Sequence, residues 1–210
     1  MITVSIKEKD IFKIEEADKT IHYGSNQEWY AKKWQRLSGC GPSTVANIIH
    51  YLNSRRNDLS YGPGLTKKEC LDLMEEIWNF VTPGLGGVSS TDMLGKGVQK
   101  YLDRKKLNIR LGFLDIPKKP NLRPNLQQVI RFLDNALEKD SPVAFLNLEH
   151  GDAAELDSWH WVTIISMEYG PEADIAFVTI LDGGLEKRIN LSGWLETTKL
   201  GGGFVSFEPE

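Results

Sequence analysis

The sequence is poor in cysteine. Two cysteines, Cys40 and Cys70, in 210 residues are too few for a disulfide framework or for a structural zinc site of their own. No apolar run is long enough to cross a bilayer, which argues against a membrane-spanning segment. Positive charge is not in excess. The 25 Lys and Arg against 29 Asp and Glu leave a net charge of -4, which argues against nucleic acid or an anionic membrane surface as partner. No segment repeats and none is low in complexity. The start, Met1 to Lys7, has no basic stretch followed by an apolar one, so no signal peptide is read and a cytoplasmic location is expected.

What remains fits a soluble globular protein. Hydrophobic residues make up 40% and charged residues 26% of the chain, and 210 residues give room for one domain with a substantial core. The spacing predicts short strands over 3–6 and 11–14, and a turn of helix around Trp29 to Trp34. A first full helix runs from Cys40–Ser43 to about Leu52, with Val45, Ile48, Ile49 and Leu52 on one stripe. A polar connection over 55–64 follows. Thr66 and Glu69 form a capping box for a second helix, and Ser90 or Thr91 caps a third that reaches about Arg104. A strand is expected over 108–114 and a helix over 126–138. Strands then dominate, over 143–148, 160–167, 175–181, 187–191 and 204–207. Helices first and an antiparallel sheet afterwards read as α+β. A single domain over 1–210 is expected, helical over about 24–105 and sheet-forming over about 106–210.

Chemistry is concentrated at three places. Cys40 lies in Leu37-Ser38-Gly39-Cys40-Gly41-Pro42-Ser43, at the start of the first full helix. A thiol there meets the positive end of the macrodipole and free backbone N–H groups, a setting that favours the attacking thiolate. His160 starts the strand-like run Trp159-His160-Trp161-Val162-Thr163. Asp182 ends the next one, at Ile180-Leu181-Asp182-Gly183-Gly184. Nucleophilic catalysis needs a thiol, a base within reach and a group that fixes the base's tautomer. Pairing of the two strands would bring His160 and Asp182 together, and Trp159 and Trp161 would shield the imidazole. Cys70, inside an apolar stripe, reads as a core residue. Gly86 and Gly87 leave room for a substrate backbone to approach. The loop Glu149-His150-Gly151-Asp152 holds ligand-type side chains but is not a metal site by itself. No metal or cofactor is expected.

These segments resemble papain-like cysteine peptidases. The pattern Cys40-Gly41-Pro42, then His160-Trp161-Val162, then Asp182-Gly183 is most similar to the bacteriocin-processing, double-glycine branch, over Gly24 to about Leu191. The resemblance implies a helical lobe that carries the nucleophile, packed on a sheet lobe that carries His160 and Asp182. That family places an oxyanion-binding glutamine six positions before the cysteine. Trp34 stands there, with Gln35 next to it, so Gln35 is the first candidate donor and Gln27 the second. The expected function is a thiol hydrolase that cleaves a peptide or amide substrate through an acyl-enzyme on Cys40. Acyl transfer by the same residues, and a non-catalytic peptide-binding module, are the alternatives.

Overall fold

A computed structural model describes residues 1–16, 18–56 and 64–209. Among the described residues, nine strands and six α-helices follow one another. β1 (Ile2–Ser5), β2 (Lys13–Glu15) and β3 (Ile21–Tyr23) come first. Then come α1 (Lys33–Ser38), α2 (Cys40–Arg56), α3 (Lys67–Trp78) and α4 (Thr91–Lys105). β4 (Ile109–Ile116), α5 (Leu126–Glu138), β5 (Val143–Asn147), β6 (His160–Tyr169), β7 (Ala176–Asp182) and β8 (Leu185–Asn190) follow. α6 (Leu191–Thr197) and β9 (Gly202–Pro209) close the chain. Most of the 55–64 connection lies outside the described residues.

The strands form one seven-stranded antiparallel sheet in the order β4-β9-β5-β6-β7-β8, and β1 pairs with the far half of β6. β2 and β3 make a separate hairpin. Phe145 pairs with Val162, so alternation sends Phe145 to one face and Trp161 and Thr163 to the other. Helices cover both faces. α2 joins the Thr163 face through a hydrogen bond from Asn47 Nδ2 to Thr163 Oγ1 at 3.1 Å. On the other face α6 sets Trp194 edge-on to Phe145, and α5 brings Phe132 against Phe204. β5 is therefore buried along its whole length, as a strand covered on both sides must be. Helices thus pack on one large antiparallel sheet, as expected, with α5 and α6 on the face away from α2 and β1 joining from the N-terminus.

α2 is the central element. The sequence predicts one buried stripe, yet every residue from Cys40 to Asn53 is buried. Its polar side is covered by the N-terminal segment, and that burial is satisfied by hydrogen bonds. Asn47 Oδ1 accepts from Ser25 N at 2.8 Å, and His50 Nε2 meets Ile11 O at 3.1 Å. Desolvation holds the His50 ring below the usual histidine range. α3 begins at the expected capping box of Thr66 and Glu69, and Ser90 caps α4. α5 has the expected bounds, with Asn125 and Gln128 forming a further capping box.

Candidate active site

α1 ends at Ser38, and Gly39 alone separates it from the start of α2 at Cys40. That abrupt junction explains the two glycines. A Cβ on Gly39 would lie 2.4 Å from Gln35 O and 2.5 Å from Tyr30 Cε2, and one on Gly41 would lie 2.9 Å from Val88 Cγ2. Both glycines make room for neighbouring packing, rather than for a special backbone turn. Cys40 is 9% exposed and lines a cleft of about 210 Å³.

β6 and β7 bring the other two residues to the same end of the sheet. Thr163 pairs with Leu181, so the first residue of β6 meets the last of β7 on one face. Asp182 then closes a two-residue hairpin loop opposite Leu185. Gly183 and Gly184 carry φ of 58° and 81°, the pair of left-handed residues that a type I′ turn requires. His160 Nε2 donates to Asp182 Oδ1 at 2.6 Å, which leaves Nδ1 for the thiol, and the imidazole interacts with Cys40. Burial works against the charged ring and is the strongest influence on it. Hydrogen bonds to Asp182 and Cys40, with the charges of both, outweigh it and raise the His160 pKa to about 10. Burial likewise raises the Asp182 carboxyl, but His160 and Lys187 hold it below the usual carboxylate range. The Asp182 side chain is 7% exposed.

Cys40, His160 and Asp182 therefore share one cleft, as the sequence suggests. The remaining expectations fare differently. Gln35 is buried within α1 and does not line the cleft. Gln27 lines the cleft instead, and its Oε1 lacks a hydrogen-bond partner among the described residues. The two residues before it are both pinned: Ser25 Oγ donates to Ser43 O at 2.9 Å, and Asn26 Nδ2 donates to Gly183 O at 2.9 Å. Trp161 lines the cleft and is buried, with its indole N–H donating to Val88 O at 2.6 Å. Trp159 is 57% exposed and lies outside the cleft lining, so it does not wall the imidazole. Its φ of 59° is a left-handed value that a bulky residue holds only when its surroundings impose it. Gly86 and Gly87 form the tip of a turn closed by mutual hydrogen bonds between Gly84 and Gly87, also outside the cleft. The part of that loop that reaches the nucleophile helix is Val88, against Gly41.

Three further residues shape the site without a sequence signal of their own. Asn147, fully buried at the end of β5, donates to Asp157 O at 2.8 Å and accepts from Trp194 Nε1 at 2.8 Å. It thereby anchors the segment that leads into His160. Lys187 on β8 donates to Asp182 Oδ2 at 2.6 Å. Asp157, with His160 and Asp182, forms a group of metal-type ligand atoms within 4.8 Å of one another. The Lys187 ammonium already occupies the second Asp182 oxygen there, so a cation is supplied by the chain itself. The two thiols are free, and Cys70 is pushed up to about 12 by burial in α3. The 149–152 loop is structural: Glu149 Oε2 accepts from Lys199 N at 2.5 Å, and Glu149 O accepts from Thr198 Oγ1 at 2.7 Å.

No family model matches the sequence, and comparison with curated proteins yields no match. Comparison with solved structures does. The chain is similar to UfSP from C. elegans, with a TM-score of 0.56 and 13% sequence identity. The fold is papain-like. The match covers 100% of this chain and 34% of UfSP, so this chain spans about a third of that protein's length. At such identity the likeness speaks to the papain-like fold, and the chemistry has to be argued from the cleft. Among the described residues no helix is long and apolar enough to cross a membrane.

Proposed function

We propose that the protein is a thiol hydrolase, a cysteine peptidase that acts through an acyl-enzyme on Cys40. The observation that carries this reading is the connected set of side chains in one cleft. A thiol at a helix start meets an imidazole whose far nitrogen is held by a buried carboxylate. UfSP, a cysteine protease of papain-like fold, supports the reading at the level of reaction class. The similarity to the bacteriocin-processing branch rests on the Cys40-Gly41-Pro42 and His160-Trp161-Val162 segments alone.

In this scheme His160 takes the Cys40 thiol proton, the sulfur attacks the substrate carbonyl carbon, and the C=O electrons move onto oxygen. The oxyanion is met by the Cys40 backbone N–H and by the Gln27 amide. Turning that amide about its last torsion presents Nε2 to the cleft. The C–N bond then breaks, and the imidazolium of His160 gives its proton to the leaving amine. A water loses a proton to His160, adds to the thioester carbonyl and releases the acid and the Cys40 sulfur. Asp182 keeps the ring in one orientation throughout.

The test is hydrolysis of a mixed peptide library, read by mass spectrometry, together with Cys40 alkylation by iodoacetamide. Cys40→Ala is expected to abolish turnover, and His160→Ala to slow alkylation by at least tenfold at neutral pH. Unchanged turnover in Cys40→Ala would sink the proposal. Added amine acceptors in the same assay reveal acyl transfer as a second product mass.

A further inference from the structure

The cleft contains a lysine that the scheme above does not use. Asp182 has two carboxylate oxygens, and both are taken. Oδ1 accepts from His160 Nε2 at 2.6 Å, and Oδ2 accepts from Lys187 Nζ at 2.6 Å. Lys187 reaches the site from β8, the next strand of the sheet, across the Gly183–Gly184 turn. Its side chain is 31% exposed, whereas that of Asp182 is 7% exposed. The ammonium also lies 3.4 Å from Glu155 O, in the segment that precedes His160. Lys187 thus touches the carboxylate and the segment leading into the histidine's strand, but not the thiol.

We propose that Lys187 is a positioning residue for this site, holding Asp182 so that a single carboxylate oxygen is offered to the His160 ring. The inference rests on the thiol-hydrolase reading of the cleft. A carboxylate bound at one oxygen alone can turn about its Cβ–Cγ bond, and the hydrogen bond to the imidazole turns with it. Fixing the second oxygen removes that freedom. It also gives the buried anion a second charge-assisted bond, which keeps it ionised beside other acids. The charged groups that face Asp182 are His160 from β6, Lys187 from β8, and Asp157 from the segment before β6. Glu28 lies elsewhere on the cleft lining. Lys187 is the cation on the carboxylate oxygen that His160 leaves free.

Three variants test it: Lys187→Gln, Lys187→Met and Lys187→Arg. Near-ultraviolet circular dichroism checks each for the native fold, and the partial exposure of Lys187 leaves Gln a solvated side chain. The primary readout is the pH dependence of Cys40 alkylation by iodoacetamide, which needs no substrate. In Lys187→Gln the acid limb of that profile is expected to move up by about one pH unit, because Asp182 then takes up a proton more readily. Lys187→Arg is expected to restore the wild-type limb. With any peptide that the wild type cleaves, Lys187→Gln lowers kcat by about tenfold and leaves KM within about twofold. A Lys187→Gln profile that superimposes on the wild type overturns the inference. So does a Lys187→Arg variant as shifted as Lys187→Gln. Should Lys187→Met and Lys187→Gln both lose the fold while Lys187→Arg keeps it with a shifted profile, the role is structural and the inference fails. These outcomes are separate from failure of the hydrolase reading, which shows in the wild type as Cys40 alkylation no faster than a free thiol.

Discussion

Replacing Asp182 by alanine is the perturbation with the clearest consequence. It removes the acceptor of a buried imidazole, whose side chain is 14% exposed, and the anion beside Lys187. The folded His160 pKa lies at about 10 against an ordinary value of 6.5. At about 1.36 kcal/mol per pKa unit, the raised value corresponds to a ceiling of roughly 5 kcal/mol, shared between Asp182 and Cys40. Breaking a buried charged pair by removing one partner costs about 3–5 kcal/mol, so the two routes agree on scale. The pH dependence follows from the direction of each shift. A histidine raised in the folded state stabilises fully below its unfolded value near 6.5, and loses that contribution as pH climbs towards 10. A carboxylate lowered in the folded state stabilises above its unfolded value near 3.8, and loses that contribution as pH falls. The stability gap between wild type and Asp182→Ala is therefore widest between about pH 4 and 6.5 and closes towards pH 10. Urea unfolding at pH 5.5, 7.5 and 9.5, followed by tryptophan fluorescence, measures it. A gap of the same size at all three values, or one below about 1 kcal/mol at pH 5.5, would refute the coupling of His160 to Asp182.

Three other outcomes follow from neighbouring contacts. Gln27→Ala is expected to lower kcat by about a hundredfold or more while leaving the Cys40 alkylation rate unchanged, whereas Gln35→Ala leaves kcat within about threefold; equal losses in the two would show that Gln27 is not the oxyanion donor. Gly39→Ala pushes a methyl group into Gln35 O and the Tyr30 ring and is expected to destabilise the fold by about 1–3 kcal/mol, read by thermal melting, and a melting point unchanged within error would contradict the packing account. Iodoacetamide at pH 8 is expected to modify one thiol per chain, because Cys70 is buried and its thiol is raised to about 12; peptide mapping that finds Cys70 alkylated as fast as Cys40 would refute this.

The elements that the sequence reveals are those whose signal is local. α5 can be placed from its four-residue apolar steps, and α3 and α4 from caps that lie next to the residues they cap. β6 and β7 show as apolar runs with a turn between them. α6 escapes because Leu191-Ser192-Gly193-Trp194 has no helical period and is held by tertiary packing, with Trp194 wedged against Phe145 and Asn147. The extent of burial around α2 escapes as well. Its polar residues look solvent-facing in sequence and are instead covered by a segment some 20 to 40 positions earlier, a contact that no short window contains.

The same distinction governs the site. Cys40, His160 and Asp182 are legible because each sits at a boundary that its neighbours announce: a glycine-flanked helix start, a strand start and a glycine turn. Lys187 is not, and Gln27 ranks only second among the candidate donors, because each enters the cleft through long-range placement. Gln27 depends on Ser25 reaching Ser43 and on Asn26 reaching Gly183, across 18 and 157 residues of sequence. Lys187 depends on β8 folding back beside β7 at the Gly183–Gly184 turn. A rule of fixed spacing before the cysteine points to the neighbourhood of Trp34 and Gln35. Here that stretch is a short helix in which Gln35 is buried and outside the cleft lining. Under the proposed mechanism the oxyanion donor is set by where a side chain arrives in space: Gln27, thirteen residues before the cysteine, lines the cleft, and the nearer Gln35 does not.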